Sequence, residues 1–236
     1  MRNTTLRLAA TATLLVGASS LAHAQNLLTN ASFELPVLGS SFAPQVSGTN
    51  LGGWLVGTGL SGAPTGTGSG VDLIRAYWQP QLGAQSIALN NKRAGAVSQT
   101  VALTANKTYA IDFFMSGLPT AGSGFTIQRF KTLDILFDNV VAGSATYDSY
   151  GVDGIQGTAD DPTRGNMRWQ FKHVEFTPTQ SRNNTVTFFS TTTNTDLGPA
   201  LDATDLHVMI PEPATGALAL VGIGPLAWVL RRRRAR

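Results

Sequence analysis

The sequence predicts an all-β domain, a sandwich or barrel, set between two apolar terminal segments. Three observations carry this. From Asn26 to Ile210, short apolar or alternating runs are separated by turn residues, which is how strand-rich folds read. The 236 residues include 25 Gly and 11 Pro, enough punctuation to exclude long helices from the middle while leaving material for one core. The chain also carries apolar runs flanked by arginine at both ends.

Taken in order, Arg2 and Arg7 precede an apolar run from Leu8 to Leu21, and Ala22-His23-Ala24 offers small residues for cleavage. Residues 1–24 are therefore expected to form a signal helix that is removed on export. The body is expected over residues 25–210. Its strands are Val71 to Ile74, Gln85 to Leu89, Ala96 to Val101, Thr108 to Met115, Leu133 to Phe137, Trp169 to Phe176, Asn184 to Ser190 and Ala203 to Val208. In the Trp169 run the polarity changes face part-way, which predicts a bulge or a change in burial near His173. Gly57 to Gly70 is almost wholly Gly, Thr, Ser, Ala and Pro and reads as a loop.

Residues 211–236 begin with Pro211-Glu212-Pro213, continue through an apolar stretch from Ala214 to Leu230, and end in a block beginning Arg231-Arg232-Arg233-Arg234. As a helix the stretch is about 25 Å long, at the short limit for a membrane span. The arginines keep their end cytoplasmic and leave the body outside.

The net charge of +3 suggests nucleic acid until the charges are placed. Of 17 Lys and Arg, two precede residue 25 and five follow residue 230, leaving ten against 14 acids. A body with this acidic balance has no basic stripe for phosphates, so nucleic acid is excluded as a partner. The chain has no cysteine, which excludes disulfides and thiol chemistry.

The tail resembles a PEP-CTERM sorting domain, on Pro211, Glu212, Pro213, the apolar span and the arginines. The resemblance implies an exosortase as partner, a transient stay in the inner membrane, and release to the envelope or extracellular matrix of a Gram-negative bacterium. The body resembles the choice-of-anchor C and DUF642 domains. This rests on Asn26-Leu27-Leu28-Thr29-Asn30-Ala31-Ser32-Phe33-Glu34, Gly53-Trp54, Val71-Asp72-Leu73-Ile74 with Tyr77-Trp78, the run Gly83 to Asn90, Ala96 to Thr100, and Gly198-Pro199-Ala200-Leu201-Asp202. Ala31 and Ala88 depart from the family pattern, which has Gly and Asp there. The resemblance implies a galactose-binding-like jelly roll.

Candidate chemistry falls in three places. Glu34 and Asp202 lie near the two ends of the body, which a jelly roll brings together; two carboxylates side by side suit a structural calcium, which the resemblance also implies, or each can accept backbone amides. Asp148, Asp153, Asp160 and Asp161 stand among glycines in a second loop, read either as calcium ligands or as a solvated turn. Tyr77 and Trp78 in a Gln- and Pro-containing turn are candidates for stacking on a sugar, with simple burial as the alternative.

His173 and His207 sit within strands and beside no nucleophile motif, so catalysis is not expected. The sequence thus reads as an exported, exosortase-processed surface or biofilm-matrix protein whose non-catalytic domain binds envelope or extracellular polysaccharide. A purely structural matrix protein and a carbohydrate-active hydrolase are the alternatives.

Overall fold

The computed structural model describes residues 25–57, 70–117, 128–192 and 197–209. The signal segment, Pro211, Glu212, Pro213, the apolar tail and nearly all of the Gly57 to Gly70 loop lie outside the described residues.

Alternation of apolar and polar side chains produces two antiparallel six-stranded sheets packed face to face. Sheet A has the order β1 (Phe42–Val46), β4 (Gly70–Ile74), β5 (Ser86–Ala88), β12 (Pro199–Val208), β7 (Tyr109–Gly117), β10 (Gln170–Phe176). Sheet B has the order β2 (Asn50–Leu51), β3 (Trp54–Val56), β6 (Ala96–Leu103), β11 (Arg182–Ser190), β8 (Phe130–Phe137), β9 (Val140–Asp148). No described residue is helical.

Inward residues two apart on each strand, such as Ile111, Phe113 and Met115 of β7 and Val186 and Phe188 of β11, form the core. A chain of rings crosses it: Phe33 to Trp54 at 5.4 Å, Trp54 to Phe188 at 5.9 Å, and Phe188 to Phe113 at 5.1 Å between centroids. Each tilted or edge-on contact adds about 0.5–1.5 kcal/mol beyond area burial.

All eight predicted strands are present, β12 beginning earlier than expected. The bulge expected near His173 is not found. β10 pairs with β7 without a break from Gln170 to Phe176, and burial alternates regularly from Phe171 onward. The apparent change of face arises because Phe171 is outward and 56% exposed. The irregularities fall instead between Asp202 and Asp205 of β12 and between Ile135 and Leu136 of β8.

The opening segment is not a strand. Asn30 and Phe33 have φ of 48° and 57°, which breaks an extended run, and polar side chains stitch the segment to both sheets. Asn26 Oδ1 accepts the Leu28 and Leu206 amides, and its Nδ2 donates to Thr204 O. Asn30 Nδ2 donates to Leu35 O and Leu51 O, Gln99 Oε1 accepts the Thr29 amide, and Gln85 Nε2 donates to Phe33 O and Pro36 O. The residues behind the family resemblance are therefore largely a polar lock for the fold.

Candidate functional site

Glu34 and Asp202 grip one loop from two sides. Glu34 Oε1 accepts the Ala84 and Gln85 amides at 2.8 and 3.0 Å. Asp202 Oδ2 accepts the Gln81 and Leu82 amides at 2.7 and 3.0 Å, while its Oδ1 accepts the Ala203 amide at 2.7 Å. Between them Gly83 has φ of +72°, and a Cβ there would fall 2.2 Å from Glu34 Oε1. Asp202 is fully buried, and burial pushes its carboxyl up to about 7 against the lowering effect of the three amides, with Glu34 adding to the rise.

These contacts bear on the expected calcium. Amide hydrogens aimed at Glu34 Oε1 and at both oxygens of Asp202 match the amide-accepting alternative for these two carboxylates. Among the described residues no group of three His, Asp or Glu is placed to hold a metal ion.

The acids of the second loop bond within the loop and to Arg129, except that Asp161 Oδ1 is buried without a hydrogen-bond partner. Asp148 makes a forked pair with Arg129, whose Nη2 lies 2.8 Å from Oδ2, and this pair holds its carboxyl below the usual range. Asp153 Oδ1 accepts the Ile155 amide, and Asp161 Oδ2 accepts the Gly157 amide. Asp160 accepts the Thr158 hydroxyl and the Val152 and Asp153 amides, which lowers its carboxyl to about 2. Gly151 and Gly154, both at positive φ, let the loop wrap these acids. The acids build the turn.

Trp78 does not offer a ring to a sugar. It is 3% exposed, its Nε1 donates to Ser86 Oγ at 2.8 Å, and it packs with Ile74, Ala88, Met167, Leu197 and Ala200. This corrects the stacking role, because the Gln- and Pro-containing turn folds back over the outer face of sheet A and makes a small second core. Tyr77 is half-buried beside it; the Arg164 guanidinium lies 3.9 Å from its ring centroid and donates to its hydroxyl at 2.6 Å. That cation covers one face of the ring.

Farther along the same outer face, Asp205, Asp112 and His173 sit opposite one another on β12, β7 and β10. His173 Nδ1 is 2.6 Å from Asp112 Oδ1, and Nε2 is 3.2 Å from Glu175 Oε1. Asp112 first and Glu175 second raise the imidazole's pKa. A ring whose two nitrogens both face carboxylates is held toward its protonated form and is a poor free base.

A concavity lies elsewhere, over the outer face of sheet B. It encloses about 1020 Å³. Ser98, Thr100 and Ala102 of β6 and Asn183, Thr185 and Thr187 of β11 face it, with Leu55 of β3 on one side. Thr187 is 1% exposed, and its hydroxyl has no hydrogen-bond partner. Arg182, Asp138 and Asn139 close the other side. Asp138 and Asn139 form the two-residue turn of the β8 to β9 hairpin, with φ of 49° and 66°, as a type I′ turn requires. Nothing in the sequence brought these residues together, since they come from three strands, a hairpin turn and the opening segment.

No protein-family model matches the chain, and no curated protein sequence matches it. Among solved structures it is similar to a cyclase from Fischerella sp. TAU, with 14% identity and a TM-score of 0.53 over 81% of this chain and 100% of that one. The apo form of a cyclase from Fischerella sp. gives 14% identity and a TM-score of 0.52, covering 80% and 98%. A carbohydrate-binding module, TmCBM61, solved with β-1,4-galactotriose, gives 16% identity and a TM-score of 0.45, covering 78% and 99%. At such identity the likeness to the cyclases shows the fold alone. The chain is an antiparallel two-sheet β-sandwich.

Proposed function

We propose that this chain is an exported, non-catalytic surface or matrix protein whose body binds envelope or extracellular polysaccharide in the groove over sheet B. The groove is the observation that carries the reading. It is floored by hydroxyl and amide side chains on rigid strands, with the apolar Leu55 at one side, which is the mixture that hydrogen-bonds sugar hydroxyls and packs against ring C–H groups. Asp138 is the one carboxylate among its lining residues, and both its oxygens are already engaged. Hydrolysis of a glycosidic bond by an acid pair needs two carboxyl groups across the substrate.

Export and processing rest on the order of the terminal segments. The signal peptide directs the chain out, the apolar tail and arginines hold it in the inner membrane, and an exosortase acts near Pro211, Glu212 and Pro213.

Two experiments test this. Thr100 is an exposed groove residue on β6, so Thr100→Trp should abolish polysaccharide binding by the purified protein while leaving its melting temperature within a few degrees. Unchanged binding would place the site elsewhere. In a host with an exosortase, replacing Pro211, Glu212 and Pro213 together by alanine should trap a tagged chain in the inner membrane; normal release would remove the sorting role.

A further inference from the structure

The groove has an uneven charge arrangement. Arg182 and Asp138 are the charged side chains among its lining residues, and they are used differently. Asp138 is spent: Oδ1 accepts the Thr185 amide at 2.8 Å and Oδ2 accepts Arg182 Nη2 at 2.7 Å. The type I′ turn fixes the backbone from which it reaches, so Asp138 is an anchor. Arg182 is not spent. A guanidinium has five N–H donors, and a single hydrogen bond to Asp138 engages one nitrogen. Its side chain remains 56% exposed on the groove wall. The wall therefore presents a planar donor array oriented from behind by a saturated carboxylate, beside the amides of Asn139 and Asn183.

We propose that Arg182 makes this groove selective for acidic polysaccharide, binding the carboxylate of a uronate unit through paired N–H donors. The inference rests on the groove being the glycan site and adds the class of glycan. A guanidinium fork matches a carboxylate bidentately, whereas a sugar hydroxyl takes one such bond and gives no charge assistance. The other acids of the body do not line the groove, so they oppose such a polymer through solvent and salt, where repulsion is screened. The exposed threonine and asparagine side chains of the floor supply the neutral hydrogen bonds common to any sugar.

The test uses the purified full chain on surfaces of immobilised alginate, polygalacturonate, xylan and galactan. The two uronates are expected to bind at least about tenfold more tightly than the two neutral polymers. Arg182→Gln should erase that difference, bringing the uronates down to the affinity that the same variant shows for the neutral polymers, with the melting temperature within a few degrees of wild type. Arg182→Lys should recover part of it, because charge returns without the fork. Asp138→Asn, which loosens the anchor, should weaken uronate binding less than Arg182→Gln does.

Equal binding of neutral and acidic polymers, or uronate selectivity that survives Arg182→Gln, overturns the inference and leaves the groove reading intact. Binding that ignores Thr100→Trp, or binding to none of the four polymers, overturns both.

Discussion

The Asp202 clasp makes a prediction that can be worked through. Asp202 is fully buried and holds the amides of Gln81, Leu82 and Ala203. Its carboxyl titrates near 7 in the fold, against 3.8 as its ordinary value. Between those values the folded chain holds more protons than the unfolded one, so stability falls as pH rises. The penalty is absent below about 4, where both states are protonated, and complete above about 7. At 1.36 kcal/mol per pKa unit the full loss is about 4 kcal/mol.

Asp202→Asn cannot ionise, so the comparison isolates this group. In urea unfolding at several pH values from 4 to 8, the wild type should lose about 4 kcal/mol relative to the variant as pH rises. Asp202→Ala should be worse than either at pH 5, because three buried amides lose their acceptor at about 1–3 kcal/mol each. A gap between wild type and Asp202→Asn that stays constant over this range would refute the reasoning. So would a melting temperature that drops in chelator and recovers with calcium, since a cation and not amides would then hold the carboxylates.

Lys131 is fully buried without a hydrogen-bond partner, and burial lowers its amine to about 8 from 10.5. The wild type should gain stability as pH rises from 8 to 10.5, and Lys131→Met should stabilise the protein at pH 7 by about 3 kcal/mol in chemical denaturation. Trp78→Ala should cost about 3–5 kcal/mol of stability through the cavity it leaves, with no selective loss of glycan affinity in the still-folded fraction. Gly83→Ala should destabilise by more than about 1 kcal/mol, seen as a lower urea midpoint, because a positive φ and the contact with Glu34 both oppose a methyl group.

Much of the fold was legible because period-2 alternation survives wherever a strand has one buried face, as in β7, β8 and β11. Four strands were not. β2 and β3 are two and three residues long, too short for a period to show. β1 contains Pro44, which is tolerated at a sheet edge and reads as a turn in sequence. β9 is rich in small residues, yet Asp138-Asn139 before it is a hairpin signal that marks the turn.

The site was less legible for a physical reason. Acids that cap amides and acids that bind calcium ask the same thing of a sequence, namely oxygens on tightly turning backbone, and Asp153 and Asp160 differ only in what points at them. Trp78 read as a loop aromatic because its neighbours are polar, but a turn lying on a sheet buries one side. The groove joins Leu55, Thr100, Asn183 and Asp138, whose proximity exists only once β3, β6, β11 and the β8 to β9 hairpin are aligned.

The stitching of the opening segment constrains how the molecule can be made. Asn26 is bonded to the Leu206 amide, a partner 180 residues later in the chain. A polypeptide emerging amino end first has only the nearby Leu28 amide for Asn26 until residues 204–206 have followed. Completion of the sandwich is thereby deferred until β12 has been made, and the early portion stays unlocked until then. Such a molecule is easy to thread and hard to finish prematurely.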